Sequence, residues 1–143
     1  MKIKYFSKIN LTLRVLKKLK NGMHDIETNS VLVSFFDEIS IKKNIKDRVV
    51  FKGKFKNKID TSKNTVTKTL KILRKLKILK NFYKIVIKKN IPIFAGLGGG
   101  TGNSASIVKY FLKDNINEEI IKICEEKIGS DFSLFLNNCS FQK

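Results

Sequence analysis

The glycine-rich segment Pro92–Gly102 constrains the fold more than any other part of the chain. It follows the alternating stretch 83–89, which predicts a strand, and precedes 103–112, whose apolar residues predict a helix. Successive glycines let neighbouring backbone N–H groups turn to one side and form a nest for an anion. The next helix adds free N–H groups and the positive end of its dipole. The segment therefore indicates a phosphate-binding turn, with a flexible glycine turn as the alternative.

The spacing of these glycines excludes the two commonest nucleotide-binding motifs. A Walker loop has a lysine directly after its last glycine, and here Asn103 follows Gly102. A GxGxxG motif counted from Gly96 needs a glycine at its last position, which is Thr101. A phosphate site of another kind remains open.

Hydrophobic periodicity predicts an α+β fold with a mixed sheet. Alternation predicts strands at 7–16, 28–35, 38–42, 48–52 and 83–89. Helical spacing predicts helices at 64–79, 103–112 and 117–128, and leaves 54–63 as a loop. Asn64 or Thr65 is the expected N-cap of the first helix and Asn117 that of the last. The chain length of 143 residues favours a single domain.

The formal net charge of +18 allows two interpretations. One is a polyanionic partner such as nucleic acid. The other is a compositional bias toward Lys, Ile, Asn and Phe, which we favour because arginine, the better reader of phosphates and bases, occurs only three times. No specific nucleic-acid partner is therefore expected.

Membrane and zinc-site interpretations find no support in the sequence. No apolar run is long enough for a membrane-spanning helix, and the first twenty residues hold no signal-peptide core, so a cytoplasmic protein is expected. The two cysteines are fifteen positions apart and the chain has one histidine, which does not suit a zinc site. Cys124 lies in a helical apolar pattern and is expected in the core.

Four blocks of sequence resemble the GHMP kinases. NIPIFAGLGGGTGNSA is similar to their phosphate-loop signature KIPxxAGLGGGSSNA. SKINLTLRV, NGMHDIETNSVLVSFFDEISI and IGSDFSLFL are similar, in the expected order, to blocks of the branch that phosphorylates 4-diphosphocytidyl-2-C-methyl-D-erythritol for isoprenoid synthesis. The resemblance implies a fold like the second domain of ribosomal protein S5. It also implies that residues 1–143 are the ATP-binding N-terminal domain, without the family's C-terminal domain, so that a second copy or a separate C-terminal half is an expected partner.

The resemblance also implies roles for individual residues. Asp131 matches the general base that acts on the substrate 2-hydroxyl, and Lys8 matches the lysine that keeps that carboxylate ionised. Thr101 stands where a serine helps to position the phosphates of ATP and their Mg²⁺. The residues implied to wrap the ATP phosphates are Pro92, Ile93, Phe94, Ala95, Gly96, Leu97, Gly98, Gly99, Gly100, Thr101 and Gly102.

Three residues are implied to bind the substrate. His24 matches the residue that hydrogen-bonds the cytosine, and Met23 replaces the tyrosine that packs on it. Asn10 is placed with them, with a plain turn or cap role as the alternative. Two further departures from the family pattern are Gly102, which replaces the second serine of the loop and is expected to keep its backbone N–H as a donor, and Ser133, which replaces a proline.

Three other interpretations stay open at this point. The chain could phosphorylate another small alcohol, which competition by cytidine nucleotides would exclude. It could be a basic nucleic-acid-binding module on the same fold, which would require binding that survives physiological salt. It could also be a folded but inactive remnant of a kinase.

Overall fold

A mixed five-stranded sheet with three helices forms the framework of the fold. The structure, a computed structural model, describes residues 2–20, 22, 24–136 and 139–142, the last of these as backbone only. In chain order the elements are β1 (Lys2–Lys18), β2 (His24–Asn44), β3 (Arg48–Lys52), α1 (Thr65–Lys75), β4 (Phe82–Lys88), α2 (Gly99–Leu112), α3 (Glu118–Lys127) and β5 (Cys139–Gln142). Short 3-10 helices lie at Lys56–Lys58 and Phe132–Leu136.

The sheet is organised around the long strand β2. Its strand order is β1-β2-β4-β3, and β5 also pairs with β2. β1, β4 and β5 run antiparallel to β2, whereas β3 and β4 are parallel and are joined through α1. This arrangement confirms the predicted α+β class with a mixed sheet.

The strands predicted at 28–35 and 38–42 are one continuous strand. The separation was wrong because a register shift interrupts the alternation without ending the pairing. Phe6 of β1 pairs with Phe36, but the next residue, Ser7, pairs with Val33. The extra residues of β2 form a bulge, which resets which side chains face the core.

The predicted helices are confirmed, with adjusted ends. Asn64 and Asn117 are the N-caps of α1 and α3, and their side chains accept hydrogen bonds from the backbone N–H groups of Thr67 and Ile120. α2 begins at Gly99 and not at the predicted position 103, because the last glycines of the loop wind into its first turn.

One face of the sheet and the three helices enclose the core. Alternate residues of β2 and β4 point into it, and α1, α2 and α3 contribute their apolar sides. Its fully buried members include Ile39, Ile85, Ile87, Val66, Leu73, Ile107, Val108 and Cys124. The expected core position of Cys124 is confirmed, and burial raises the pKa of its thiol to about 11.

We expect Cys124 to be unreactive in the folded chain. With a pKa of about 11, roughly one thiol in a thousand is ionised at pH 8, against about one in four for a free cysteine. In a Cys139→Ser background, a thiol reagent at pH 8 should therefore modify Cys124 only after denaturant is added. Rapid labelling of the native chain would contradict the enclosed core described above.

The outer part of the hairpin formed by β1 and β2 exposes apolar side chains. Leu11, Leu13 and Val15 are each more than half exposed. This is the apolar surface that a chain resembling one domain of a larger enzyme is expected to present. Within the part of the chain that the structure describes, no helix has the length and apolarity to cross a membrane.

Candidate active site

A cleft of about 360 Å³ lies between the glycine-rich segment and the start of α1. One wall is formed by residues 92–101 and the other by residues 58–60 and 63–66. Lys58, Asp60, Lys63 and Lys89 are among the lining residues, and Lys89 is paired with the buried Asp37. The two other lysines outnumber the single carboxylate of Asp60, and this net positive charge favours an anionic ligand.

The glycine-rich segment presents a row of free backbone donors at the start of α2. Gly98 is the N-cap of this helix, in a left-handed conformation with φ 69° and no capping side chain. The first hydrogen bond of the helix runs from the N–H of Gly102 to the carbonyl of Gly98. The N–H groups of residues 98–101 consequently have no partner within the helix. Free donors of this kind, together with the helix dipole, favour the binding of an anion.

Three hydrogen bonds from outside the turn anchor its carbonyls. The Leu97 carbonyl accepts a bond from the N–H of Lys8 (3.2 Å), and the Gly98 carbonyl accepts one from the hydroxyl of Tyr5 (3.1 Å). The Thr65 hydroxyl donates to the Gly100 carbonyl at 2.9 Å. In a trans peptide the C=O and the next N–H point in opposite directions. Anchoring the Leu97 and Gly98 carbonyls on β1 therefore aims the N–H groups of Gly98 and Gly99 away from that strand.

The side chains of Lys8 and Asp131 meet beside this turn. Lys8 Nζ lies 3.6 Å from Asp131 Oδ2, with side chains 11% and 27% exposed. A Cβ at Gly129 would lie 2.8 Å from Thr101 Oγ1 and 3.1 Å from Asp131 Oδ1, so both groups lie beside this residue and a side chain there would crowd them. An ammonium, a carboxylate and a hydroxyl thus converge at the start of α2.

The residues expected to bind the substrate lie along the hairpin. Asn10 Oδ1 accepts a hydrogen bond from the Ser30 hydroxyl at 2.8 Å. His24 is exposed at the start of β2, opposite Lys18, whereas Lys8 pairs with Leu32. His24 is therefore separated from the Lys8 pair by a stretch of β2 that would be about 26 Å long if straight, at ~3.3 Å per residue. Met23 lies outside the described residues.

Gly102 does not have the free backbone donor that was expected of it. Its N–H is donated to the Gly98 carbonyl, so the expectation that it remains a donor for phosphate is wrong. The residue is buried and does not line the cleft. Its Cα faces the ring of Tyr5, at a distance that leaves no room for a side chain.

A buried polar network below the glycine-rich segment was missed by sequence reasoning. Asp37 is fully buried and forms an ion pair with the buried Lys89. Its carboxylate also accepts bonds from the N–H groups of Asn90 (2.8 Å) and Ile91 (2.9 Å) and from Asn103 Nδ2 (2.9 Å). In a chain with 27 lysines, no local pattern distinguishes a buried lysine from a solvated one.

One polar atom of this network has no protein partner at the cleft. Asn103 is 1% exposed and its Oδ1 lacks a hydrogen bond among the described residues, although the residue lines the cleft. Buried polar atoms are rarely unpaired in native proteins. This acceptor is enclosed beneath the cleft surface and, within the described part of the chain, is an unpaired point of the buried network.

The donor set suits a metal ion that arrives with a phosphate ligand. Among the residues that the structure describes, no three Asp, Glu, His or Cys side chains are placed to hold an ion by themselves. Mg²⁺ commonly binds through one or two carboxylates together with substrate phosphates and waters. The Thr101 hydroxyl, which lies beside Gly129 and lines the cleft, fits as one protein ligand of such a partial site.

Comparison with known sequences points to one family. The family model for the N-terminal domain of GHMP kinases matches residues 64–133. The chain is 43% identical to the 4-diphosphocytidyl-2-C-methyl-D-erythritol kinase of Ureaplasma parvum, over 96% of this chain and 53% of the relative. It is 38% identical to that of Pelagibacter ubique, over 93% of this chain and 49% of the relative. The chain thus spans about half the length of the curated relatives it matches.

Comparison with solved structures agrees on the fold. A crystal structure of 4-(cytidine 5'-diphospho)-2C-methyl-D-erythritol kinase superposes with a TM-score of 0.74 at 20% identity. The match covers 99% of this chain and 55% of that one.

Proposed function

The chain belongs to the GHMP kinase family, and from that premise we propose that it is the ATP-binding domain of a kinase that phosphorylates the 2-hydroxyl of 4-diphosphocytidyl-2-C-methyl-D-erythritol. The observation that carries the proposal is the contact between Lys8 and Asp131 beside four free N–H groups at the start of α2. Relatives that carry this substrate in their names support its choice.

The geometry suits phosphoryl transfer, which needs positioning and charge stabilisation more than covalent chemistry. The free N–H groups of residues 98–101 would bind the phosphates of ATP. Lys58 and Lys63 are further cationic residues that line this cleft. The Mg²⁺ that accompanies ATP would supply charge neutralisation, and Thr101 is the side chain placed to hold it.

Asp131 is the proposed general base. A carboxylate at this position accepts the proton of the attacking hydroxyl. The hydroxyl oxygen then bonds to the γ-phosphorus as the bond between that phosphorus and the leaving ADP oxygen breaks. Lys8, at 3.6 Å, pairs with the carboxylate and stabilises the negative charge that develops on the hydroxyl oxygen. Both side chains are mostly shielded from water, which strengthens these interactions.

The hairpin is the proposed site for the cytidine diphosphate part of the substrate. His24 lies well beyond the Lys8 pair along β2, so a ligand that contacts both must be elongated. A nucleoside diphosphate ester has that shape, whereas a small free alcohol does not. His24, Met23 and Asn10 are the residues proposed to contact it.

The exposed apolar part of the hairpin is the proposed contact for the rest of the enzyme. Leu11, Leu13 and Val15 would be covered by a separate C-terminal half or by a second copy of the chain. A cytoplasmic setting belongs to the same proposal, since a buried free thiol at Cys124 is typical of reducing compartments.

The proposal is tested by incubating the chain with MgATP and 4-diphosphocytidyl-2-C-methyl-D-erythritol, and detecting phosphorylated product by mass spectrometry. A second sample contains an equimolar C-terminal half of the Ureaplasma parvum relative, and that relative at full length is the positive control. Product in either sample supports the kinase. Its absence from both, with a folded chain, contradicts the proposal. Inhibition by cytidine diphosphate but not by uridine diphosphate would support the substrate, and equal effects would favour another alcohol.

Replacing Lys8 by methionine is expected to lower kcat by about 10- to 100-fold, the range for losing one interaction with a charged group. The KM for ATP should change less, because the free N–H groups of α2 remain. Lys17→Met is the matched control, since Lys17 lies on the same strand and is 68% exposed in a loose pair with Asp25. Steady-state kinetics of both variants check this. An equal loss in both would show that the general positive charge matters and the position of Lys8 does not.

A further inference from the structure

Tyr5 is a buried residue to which the proposed chemistry gives no part. It is 4% exposed and lies on β1, on the side of the loop away from the cleft. Its hydroxyl donates to the Gly98 carbonyl at 3.1 Å, and its ring packs edge-on against Phe135 with centroids 5.4 Å apart. Burial, and after it the charge of Asp131, raises the pKa of this phenol above its ordinary value, so the hydroxyl stays protonated and remains a donor.

The ring of Tyr5 occupies the space that a side chain at position 102 would need. A Cβ at Gly102 would lie 1.8 Å from two ring carbons of Tyr5 and 2.1 Å from its hydroxyl oxygen. A serine at 102, as in the family signature, would therefore place its own hydroxyl in the region that the Tyr5 hydroxyl now fills. The two arrangements exclude each other.

We propose that Tyr5 is a positioning residue of the phosphate-binding turn, whose hydroxyl takes the place of the side chain that Gly102 lacks and fixes the Gly98 carbonyl. The proposal rests on the proposed function of this turn as a nucleotide site. Tyr5 touches no ligand and acts through the backbone of the turn.

The geometry of the peptide group gives the reason. With the Gly98 carbonyl held by Tyr5, the N–H of Gly99 in the same peptide plane must point the opposite way. The neighbouring Leu97 carbonyl is held by Lys8 N–H in the same manner. One strand thus orients two consecutive donors. Without the phenol, the Gly98 peptide loses an anchor at a residue that has glycine's wide conformational freedom.

Phe135 connects Tyr5 and the turn to the segment that carries the proposed base, Asp131. A Cβ at Gly98 would lie 2.2 Å from Cζ of Phe135, so the ring seats directly against that residue. Phe135 belongs to the 3-10 helix Phe132–Leu136, which follows Asp131 in the chain. The contact between Tyr5 and Phe135 therefore fixes the distance between the donors of the turn and the carboxylate.

The first test is Tyr5→Phe, which removes only the hydroxyl. We expect the Kd for MgADP, measured by calorimetry, to rise about two- to tenfold, the effect of one ordinary hydrogen bond. Amide hydrogen exchange at Gly102, whose N–H is bonded to the Gly98 carbonyl, should become faster in the nucleotide-free chain, while that of α3 should not change. Tyr83→Phe is the control, because Tyr83 packs against Phe111 with its ring and lies outside the turn. Unchanged exchange in the turn of Tyr5→Phe would overturn the proposal.

The second test moves the hydroxyl group from residue 5 to residue 102. Gly102→Ser alone should weaken MgADP binding strongly, because it collides with the Tyr5 ring. In a Tyr5→Val background, Gly102→Ser and Gly102→Ala fill the same space, but only serine carries a hydroxyl. We expect both double variants to melt at similar temperatures and only the serine variant to regain MgADP affinity. Equal affinity of the two would show that Tyr5 only fills space.

The outcomes separate this proposal from the proposed function. If the wild-type chain binds no MgADP, the nucleotide function fails, and the hydrogen-exchange comparison of Tyr5→Phe with Tyr83→Phe still decides whether Tyr5 positions the turn. If the wild type binds MgADP and Tyr5→Phe binds it equally well with unchanged exchange, the function stands and the role of Tyr5 is rejected.

Discussion

Replacing Asp131 by asparagine is expected to lower kcat by about 10²- to 10⁴-fold, the usual contribution of a positioned general base. Asparagine keeps the size of the side chain and cannot accept the proton of the attacking hydroxyl. The carboxylate is 27% exposed and its nearest charged neighbour is Lys8, so the neutral amide should be tolerated by the fold. The loss should therefore fall on turnover, with the melting temperature and MgADP affinity close to those of the wild type.

The variant is assayed under the condition in which the wild type gives product. That condition is either the chain alone or the chain with the added C-terminal half. Asp25→Asn is the matched control, because Asp25 also pairs with a lysine of β1, at 3.8 Å, but lies near the tip of the hairpin. Rates should be measured at saturating MgATP and saturating alcohol. A kcat for Asp131→Asn within a few-fold of the wild type would remove Asp131 from the role of base, whatever the reaction turns out to be.

Elements that depend on local sequence were predictable. Asn64 and Asn117 cap their helices as expected because a cap is a contact within three residues. The glycine turn that leads into α2 was predictable for a similar reason, since glycine spacing and the following helix are both local. The resemblance to the GHMP kinases implied that Lys8 and Asp131 act together. These residues lie on distant segments that no periodicity connects, and the structure brings their side chains to 3.6 Å.

Elements that depend on distant pairing were not predictable. The continuity of β2 depends on a bulge against β1, which a single strand's alternation cannot reveal. The roles of Tyr5 and Asp37 depend on what packs against them, a contact with Gly98 in one case and with Lys89 in the other. An aromatic or acidic residue in a strand has the same local sequence whether its side chain is buried or solvated, so the sequence does not distinguish the two cases.

The buried pair of Asp37 and Lys89 should be among the most sensitive points of the structure. Both oxygens of Asp37 are occupied by hydrogen bonds and neither side chain is more than 4% exposed. Asp37→Ala would leave the Lys89 ammonium buried without a partner and free the N–H groups at the start of the glycine-rich segment. Removing one member of a buried ion pair typically lowers the free energy of unfolding by about 3–5 kcal/mol. For a domain of this size we expect the melting temperature to fall by roughly 10–17 °C.

The neighbouring pair in the same two strands is a natural control. Glu38 and Lys88 adjoin Asp37 and Lys89 in sequence and lie 2.9 Å apart, but their side chains are 34% and 57% exposed. Exposed pairs contribute little to stability, so Glu38→Gln should leave the melting temperature almost unchanged. Adding Lys89→Met to Asp37→Ala removes the stranded charge, and this double variant should melt at a higher temperature than Asp37→Ala alone. Calorimetric melting of the four chains decides the point: if Asp37→Ala melts no lower than Glu38→Gln, the pair is hydrated in solution and the glycine-rich segment is anchored by other contacts.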